Sequence, residues 1–280
     1  MKQISPTFRR RRLAGRLRTM REQSGLTLED AASKLDKTRS SLHRIETGAT
    51  KADVHLIRSM MDIYDHYDPD LVDLVREANR PGWWTKYKID AGGYISTETE
   101  ASTVFEFTIV NIPGLLQTEA YMYALFGART VRQSREQLPN AVAARLHRQR
   151  RLTDEEFPLR LVAIVDEAAL RRKVGGAEVM RDQLEHLTIV SELDTVSLQV
   201  LPNDAGAHPS MDGPFTILTF PEGSDPSVLN VSYLHGWLQV ENLEHVAEAR
   251  LVFDRLRSEA LSPTDSVAFI ERVADELYGE

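Results

Sequence analysis

The 280-residue chain has no cysteine, which excludes disulfides, thiolate metal sites and a cysteine nucleophile, and fits a protein of the reducing cytoplasm. Long apolar runs are also missing. Nothing approaches the ~20 apolar residues that a membrane helix needs. The basic start at Arg9 to Arg12 is followed by Arg16, Arg18 and Arg21, where a signal peptide would need an apolar core. No repeat or low-complexity stretch interrupts a composition of 42% hydrophobic and 27% charged residues, so one or two soluble globular domains are expected, with no membrane partner.

What is present is unevenly placed. The net charge of −8 divides into +8 over residues 1–60, from 14 Lys or Arg against 6 Asp or Glu, and −16 over the rest, from 20 against 36. A basic head on an acidic body suits a DNA-binding module joined to a domain that does not bind DNA.

Within the head, Leu26 to Gly48 reads as two short helices meeting at a tight turn. Thr27 followed by Asp30 three residues later is a capping-box pattern, Thr38 is an N-cap for the second helix, and Ala31 and Ala32 allow close crossing. Asp36 tolerates the left-handed turn conformation better than most residues. Leu35, Leu42 and Ile45 share one side of the second helix, and Arg39, Ser40, His43 and Arg44 fall on another. All four can donate hydrogen bonds, which suits base edges in a major groove. Thr27, Thr38 and the cluster Arg9, Arg10, Arg11 and Arg12 are expected at the DNA backbone.

Leu26-Thr27, Ala31-Ala32 and the run from Thr38 to Gly48 carry a resemblance to the Cro and phage-repressor type of helix-turn-helix, the xenobiotic-response-element family. It implies that the second helix reads bases through Arg39, Ser40, His43 and Arg44. It further implies a homodimer on a pseudo-palindromic operator, with recognition helices about 34 Å apart. Leu28 stands where many members carry a phosphate-binding glutamine.

The remaining head shows a first helix with Leu13, Leu17 and Met20, a fourth from Asp53, and a fifth opened by Pro69, making an all-helical, five-helix domain over 1–80. Residues 81–93, with Trp83 and Trp84, read as a packed connector. From 94 to 280 the pattern turns mixed. Strands are expected at Val104 to Val110, Leu159 to Val165, Thr195 to Leu201, Phe215 to Phe220, Val228 to Leu234 and Trp237 to Val240, the last two as a hairpin around His235-Gly236. Helices are expected through Tyr121 and Phe126, over Arg135 to Leu152, after Asp166, around Leu184 and in two C-terminal stretches. The expected class is α+β, a small, mainly antiparallel sheet covered by helices.

The body resembles the C-terminal domain of Scr-type, antitoxin-like transcriptional regulators. Pro113-Gly114-Leu115-Leu116-Gln117-Thr118 with Tyr121, Arg145, Arg148-Gln149, Asp166 to Arg171 and Gly206-Ala207-His208 carry the likeness. It implies a regulator paired with a small protein encoded nearby, and Trp83, Trp84, Leu115, Leu116, Gln117 and Tyr121 are the candidate partner- or ligand-binding residues. Members tend to carry a glutamate about where Ser232 stands.

Enzyme chemistry finds little support. His208 and Asp212 lie four apart but in an Ala-Gly-Ala-His-Pro loop, Asp166-Glu167 reads as a helix start, and Gly175-Gly176 lacks nucleotide-loop spacing. The expectation is a sequence-specific transcriptional regulator with no cofactor, no metal and no catalytic residues, whose body binds a small protein. The alternative is a metabolite sensor with a pocket lined by aromatics such as Trp83, Phe107, Phe215 or Trp237.

Overall fold

A computed structural model describes residues 7–89, 93–128, 136–221, 225–234 and 236–278. They form two compact units, residues up to 86 with 90–100, and residues 87–89 with 101–280.

The head opens with α1 (Phe8–Gln23), capped by Thr7, whose hydroxyl accepts from Arg10 N. Gly25, at φ +72°, supplies the left-handed residue that stops it. The helices α2 (Leu28–Lys34), α3 (Arg39–Glu46), α4 (Val54–Tyr64) and α5 (Asp70–Asn79) follow. Leu17, Leu42, Ile57, Met60, Leu71 and Val75 are fully buried and form the centre of the head core.

The five expected helices are joined by α6 (Tyr94–Glu100), which belongs to the head unit. No apolar stripe marks it, because its buried residues are Ser96, Thr97 and Glu98. Polar bonds hold it to α1: Phe8 N donates to Ser96 Oγ at 3.3 Å, Arg11 Nη2 to Thr97 Oγ1 at 3.3 Å and Arg9 Nε to Glu100 at 2.7 Å. The head therefore extends past the expected boundary at 80, and the connector read over 81–93 leads into another head helix.

The body has β1 (Thr103–Thr108), then α7 (Glu119–Gly127) and α8 (Gln137–Gln149) leading to β2 (Arg160–Asp166). Next come α9 (Glu167–Arg171), α10 (Ala177–Val190) and β3 (Val196–Leu201). The rest is β4 (Phe215–Thr219), β5 (Val228–Tyr233), β6 (Gly236–Val240), α11 (Leu243–Glu259) and α12 (Pro263–Tyr278). Of the long helix expected over Arg135 to Leu152, Arg135 lies outside the described residues, and Arg150–Leu152 tighten into a 3-10 turn. His235, expected in the last hairpin, also lies outside them, while Tyr233 and Gly236 pair across it.

The sheet has six strands in the order β3-β2-β1-β4-β5-β6 and is mixed. β1 pairs with β2, and β2 with β3, in parallel, whereas β4, β5 and β6 add antiparallel strands on the other side of β1. The physical cause of the parallel half is visible in β2. Leu161, Ala163, Ile164 and Val165 are all buried, so both faces are covered, as parallel strands require. The helical crossovers α7–α8 and α9–α10 supply the length that parallel pairing needs.

One sheet face carries Phe105, Phe107, Phe215, Ile217 and Leu229 against Val246, Phe253 and Leu256 of α11. Phe253 meets Phe105 and Phe215 edge-on at centroid distances of 5.5 and 6.3 Å, which closes this layer.

Candidate nucleic-acid interface

Two threonine caps set the geometry of the α2–α3 segment. Thr27 Oγ1 accepts from Asp30 N at 3.1 Å and donates to the Asp30 carboxylate at 2.6 Å, while Thr38 Oγ1 accepts from Ser41 N at 3.1 Å. The turn between the helices uses Asp36 at φ +51°. Leu35, Leu42 and Ile45 are buried together, which turns Arg39, Ser40, His43 and Arg44 to solvent. A weak contact touches that face: Arg39 Nε lies 3.6 Å from Glu29 Oε2, both side chains mostly exposed.

The two caps differ in what they leave available. Thr27 uses both its acceptor and its hydrogen on Asp30, whose charge sits beside it. Thr38 keeps its hydroxyl hydrogen and can donate to a phosphate.

The arginine cluster lies on the first turns of α1, half-buried, and not in an extended arm. Arg9 is engaged with Glu100, and Arg11 with Thr97 and with the face of Phe8, 5.8 Å from its centroid.

A pair that the sequence reading passed over fixes α3. Arg21 and Glu46, 8% and 7% exposed, meet fork to fork, with Arg21 Nε 2.8 Å from Glu46 Oε1 and Nη2 3.0 Å from Oε2. Arg21 Nη1 also donates to Leu26 O at 2.9 Å, so one guanidinium joins α1, the loop before α2 and the end of α3. Its bond to Glu46 raises the Arg21 pKa and keeps it charged. Beside the pair, the Tyr64 hydroxyl is buried without a hydrogen-bond partner, and burial pushes its pKa up to about 12. The available signal was an arginine in α1 and a glutamate in α3, both at positions facing the core.

Trp83 and Trp84 lie in the head unit in T-shaped contact, centroids 5.9 Å apart, and Trp83 Nε1 donates to Thr99 Oγ1 of α6 at 3.1 Å. With Arg9, Arg80, Ser96 and Glu100 they line a cavity of about 160 Å³. Trp84 lies so close over Gly82 that a Cβ there would meet its ring at 2.2 Å.

In the body, Leu115, Leu116, Gln117 and Tyr121 are at most 1% exposed. Gln117 Nε2 donates to Ile112 O at 2.7 Å, and the Tyr121 hydroxyl accepts from Ile112 N at 3.2 Å. Gln183 of α10 closes the knot, with its Oε1 accepting from Thr118 N and its Nε2 donating to Leu116 O, each at 2.8 Å. Gln149 Nε2 donates to Gln117 O at 2.8 Å, and the Arg145 guanidinium stacks 4.5 Å over Phe126. These side chains tie α7, α8 and α10 together and offer no outward surface. His208, weighed as a ligand, packs edge-on against Phe107 at 5.5 Å.

A family model described as a helix-turn-helix domain matches residues 12–75, and one described as a domain of unknown function (DUF5753) matches residues 92–272. No curated protein and no solved structure matches the chain. The helix-turn-helix match supports DNA binding and transcription regulation, and no described helix is long and apolar enough to cross a membrane.

Proposed function

The chain belongs to the DUF5753 family, and from that premise we propose that it is a sequence-specific transcriptional regulator whose α3 reads an operator while its body answers to a small partner protein. The observation that carries the DNA half is the outward face of Arg39, Ser40, His43 and Arg44 on a helix held rigid by the Arg21–Glu46 fork. Two copies bind a pseudo-palindrome, α3 entering successive major grooves. Thr38 contacts phosphate. The first-turn arginines raise the positive potential of the head, and Arg9 and Arg11 also hold α6.

For the partner, the body offers the outer side of β6, the last strand of the sheet among the described residues. Leu234, Leu238 and Leu243 there are 91%, 57% and 66% exposed, a concentration of apolar surface that a single molecule leaves wet. The buried Leu115 to Gln117 knot stabilises the body through α8 and α10. We place no enzymatic step in this protein.

Recovery of the DNA and proteins bound to the full chain in its native cell tests the reading. An enriched palindrome together with one small protein is the expected result. Recovered DNA without a shared motif overturns the operator half, and a motif without a co-recovered protein overturns the partner half.

A further inference from the structure

The two tryptophans of the head meet near a right angle, 76° between ring planes, so one presents its face where the other presents its edge. Both are held in that attitude. Trp83 is tied through Nε1 to Thr99 Oγ1, and Trp84, 9% exposed, lies directly on Gly82. The cavity of about 160 Å³ that they line is therefore formed before any ligand arrives, and it belongs to the head unit alone. A cavity of that volume takes one benzene-sized group, and an aromatic corner favours a third ring, which meets one tryptophan on its face and the other at its edge.

The charges around the cavity divide into two pairs. Arg9 and Glu100 neutralise each other, Nε to Oε1 at 2.7 Å. Glu77 and Arg80 do not: both line the cavity and both are exposed, and neither side chain makes a hydrogen bond or ion pair with another described residue. They stand one turn apart at the end of α5, where Arg80 N donates to Glu77 O at 3.1 Å, and residues so spaced lie about 5–6 Å apart at Cβ. A carboxylate that only accepts and a guanidinium that only donates thus flank the mouth of an aromatic cavity.

We propose that this cavity binds an α-amino acid with a single aromatic ring. The ring enters the tryptophan corner, Glu77 holds the ammonium and Arg80 holds the carboxylate. A zwitterion matches both open charges at once and adds no net charge to a balanced site. An amine or an acid alone would match one and leave the other in water. The site uses the head alone and stands apart from the operator and partner readings, since its occupancy is measured without DNA or a second protein.

Tryptophan fluorescence of the full chain, excited where phenylalanine does not absorb, tests the proposal with L-phenylalanine as the probe. Of the three tryptophans, Trp83 and Trp84 line the cavity and Trp237 does not, so the titration is run in a Trp237→Phe chain. Calorimetry on the unaltered chain gives the affinity without that substitution. Saturable binding is expected, with phenethylamine and 3-phenylpropionate each binding about tenfold more weakly. Arg80→Ala should bring L-phenylalanine down to the level of phenethylamine, and Glu77→Ala down to that of 3-phenylpropionate. Both substitutions fall on exposed side chains, so the fold survives them. Absence of saturable binding of L-phenylalanine overturns the proposal. Equal binding of the amino acid and its two analogues, or binding unchanged in both variants, also overturns it, since the cavity would then be reading the ring alone.

Discussion

The head and the body place their polar residues in opposite directions. In the head the donors of α3 face solvent, and one buried ion pair, Arg21–Glu46, holds them in position. In the body Gln117, Gln183 and Asn230 are at most 3% exposed and face inward. The difference teaches where each unit is vulnerable. A solvent-facing surface can lose a side chain without losing its fold, whereas the hydrogen-bonded buried amides Gln117 and Gln183 couple the body's stability to their presence.

Glu46→Ala should have the largest effect, because it leaves Arg21 buried and unpaired, a loss of about 3–5 kcal/mol in denaturant unfolding of the head. Exchanging both partners for apolar residues of similar volume should cost far less; an equal cost would mean that the pair contributes attraction and not merely mutual compensation. Gln183→Ala strands Thr118 N and Leu116 O, and about 2–4 kcal/mol of body stability should go with it while operator affinity stays unchanged. A parallel fall in DNA binding would break the separation of the two units.

Arg39→Ala and Arg44→Ala should each weaken operator binding by about 1–3 kcal/mol in a gel-shift or anisotropy titration, with no change in unfolding. Unchanged affinity in both would remove α3 as the reader of bases. Tyr64→Phe is the smallest change, neutral or mildly stabilising at pH 7, since it deletes an unpaired hydroxyl. Its signature lies at high pH. The folded value near 12 stands above the ordinary 10, so the folded head holds this proton more tightly and stability falls as pH rises from 10 towards 12. The variant should lack that slope, measured by unfolding across the range.

The exposed donor face of α3 was legible in the sequence because its determinants are local. Caps act over three residues and helix faces over three or four, and both survive in one dimension. The same reasoning located the six strands and the Asp166 cap, whose Oδ1 accepts from Ala168 N at 2.8 Å. It missed α6, whose buried face is Ser96, Thr97 and Glu98 and thus shows no apolar period. It also could not distinguish an outward Gln117 from a buried one, since that depends on Gln149 and Gln183 arriving from α8 and α10.

By itself, then, the sequence determined a basic helix-turn-helix with its donors on one face and a mixed body behind it. Only the tertiary structure decided that Arg21 would meet Glu46, and that Glu106, Thr216, Asn230 and Gln239 would stand in one row. The physical reason is strand register: residues more than a hundred positions apart become neighbours through backbone pairing, and a slip of one would turn each side chain to the other face.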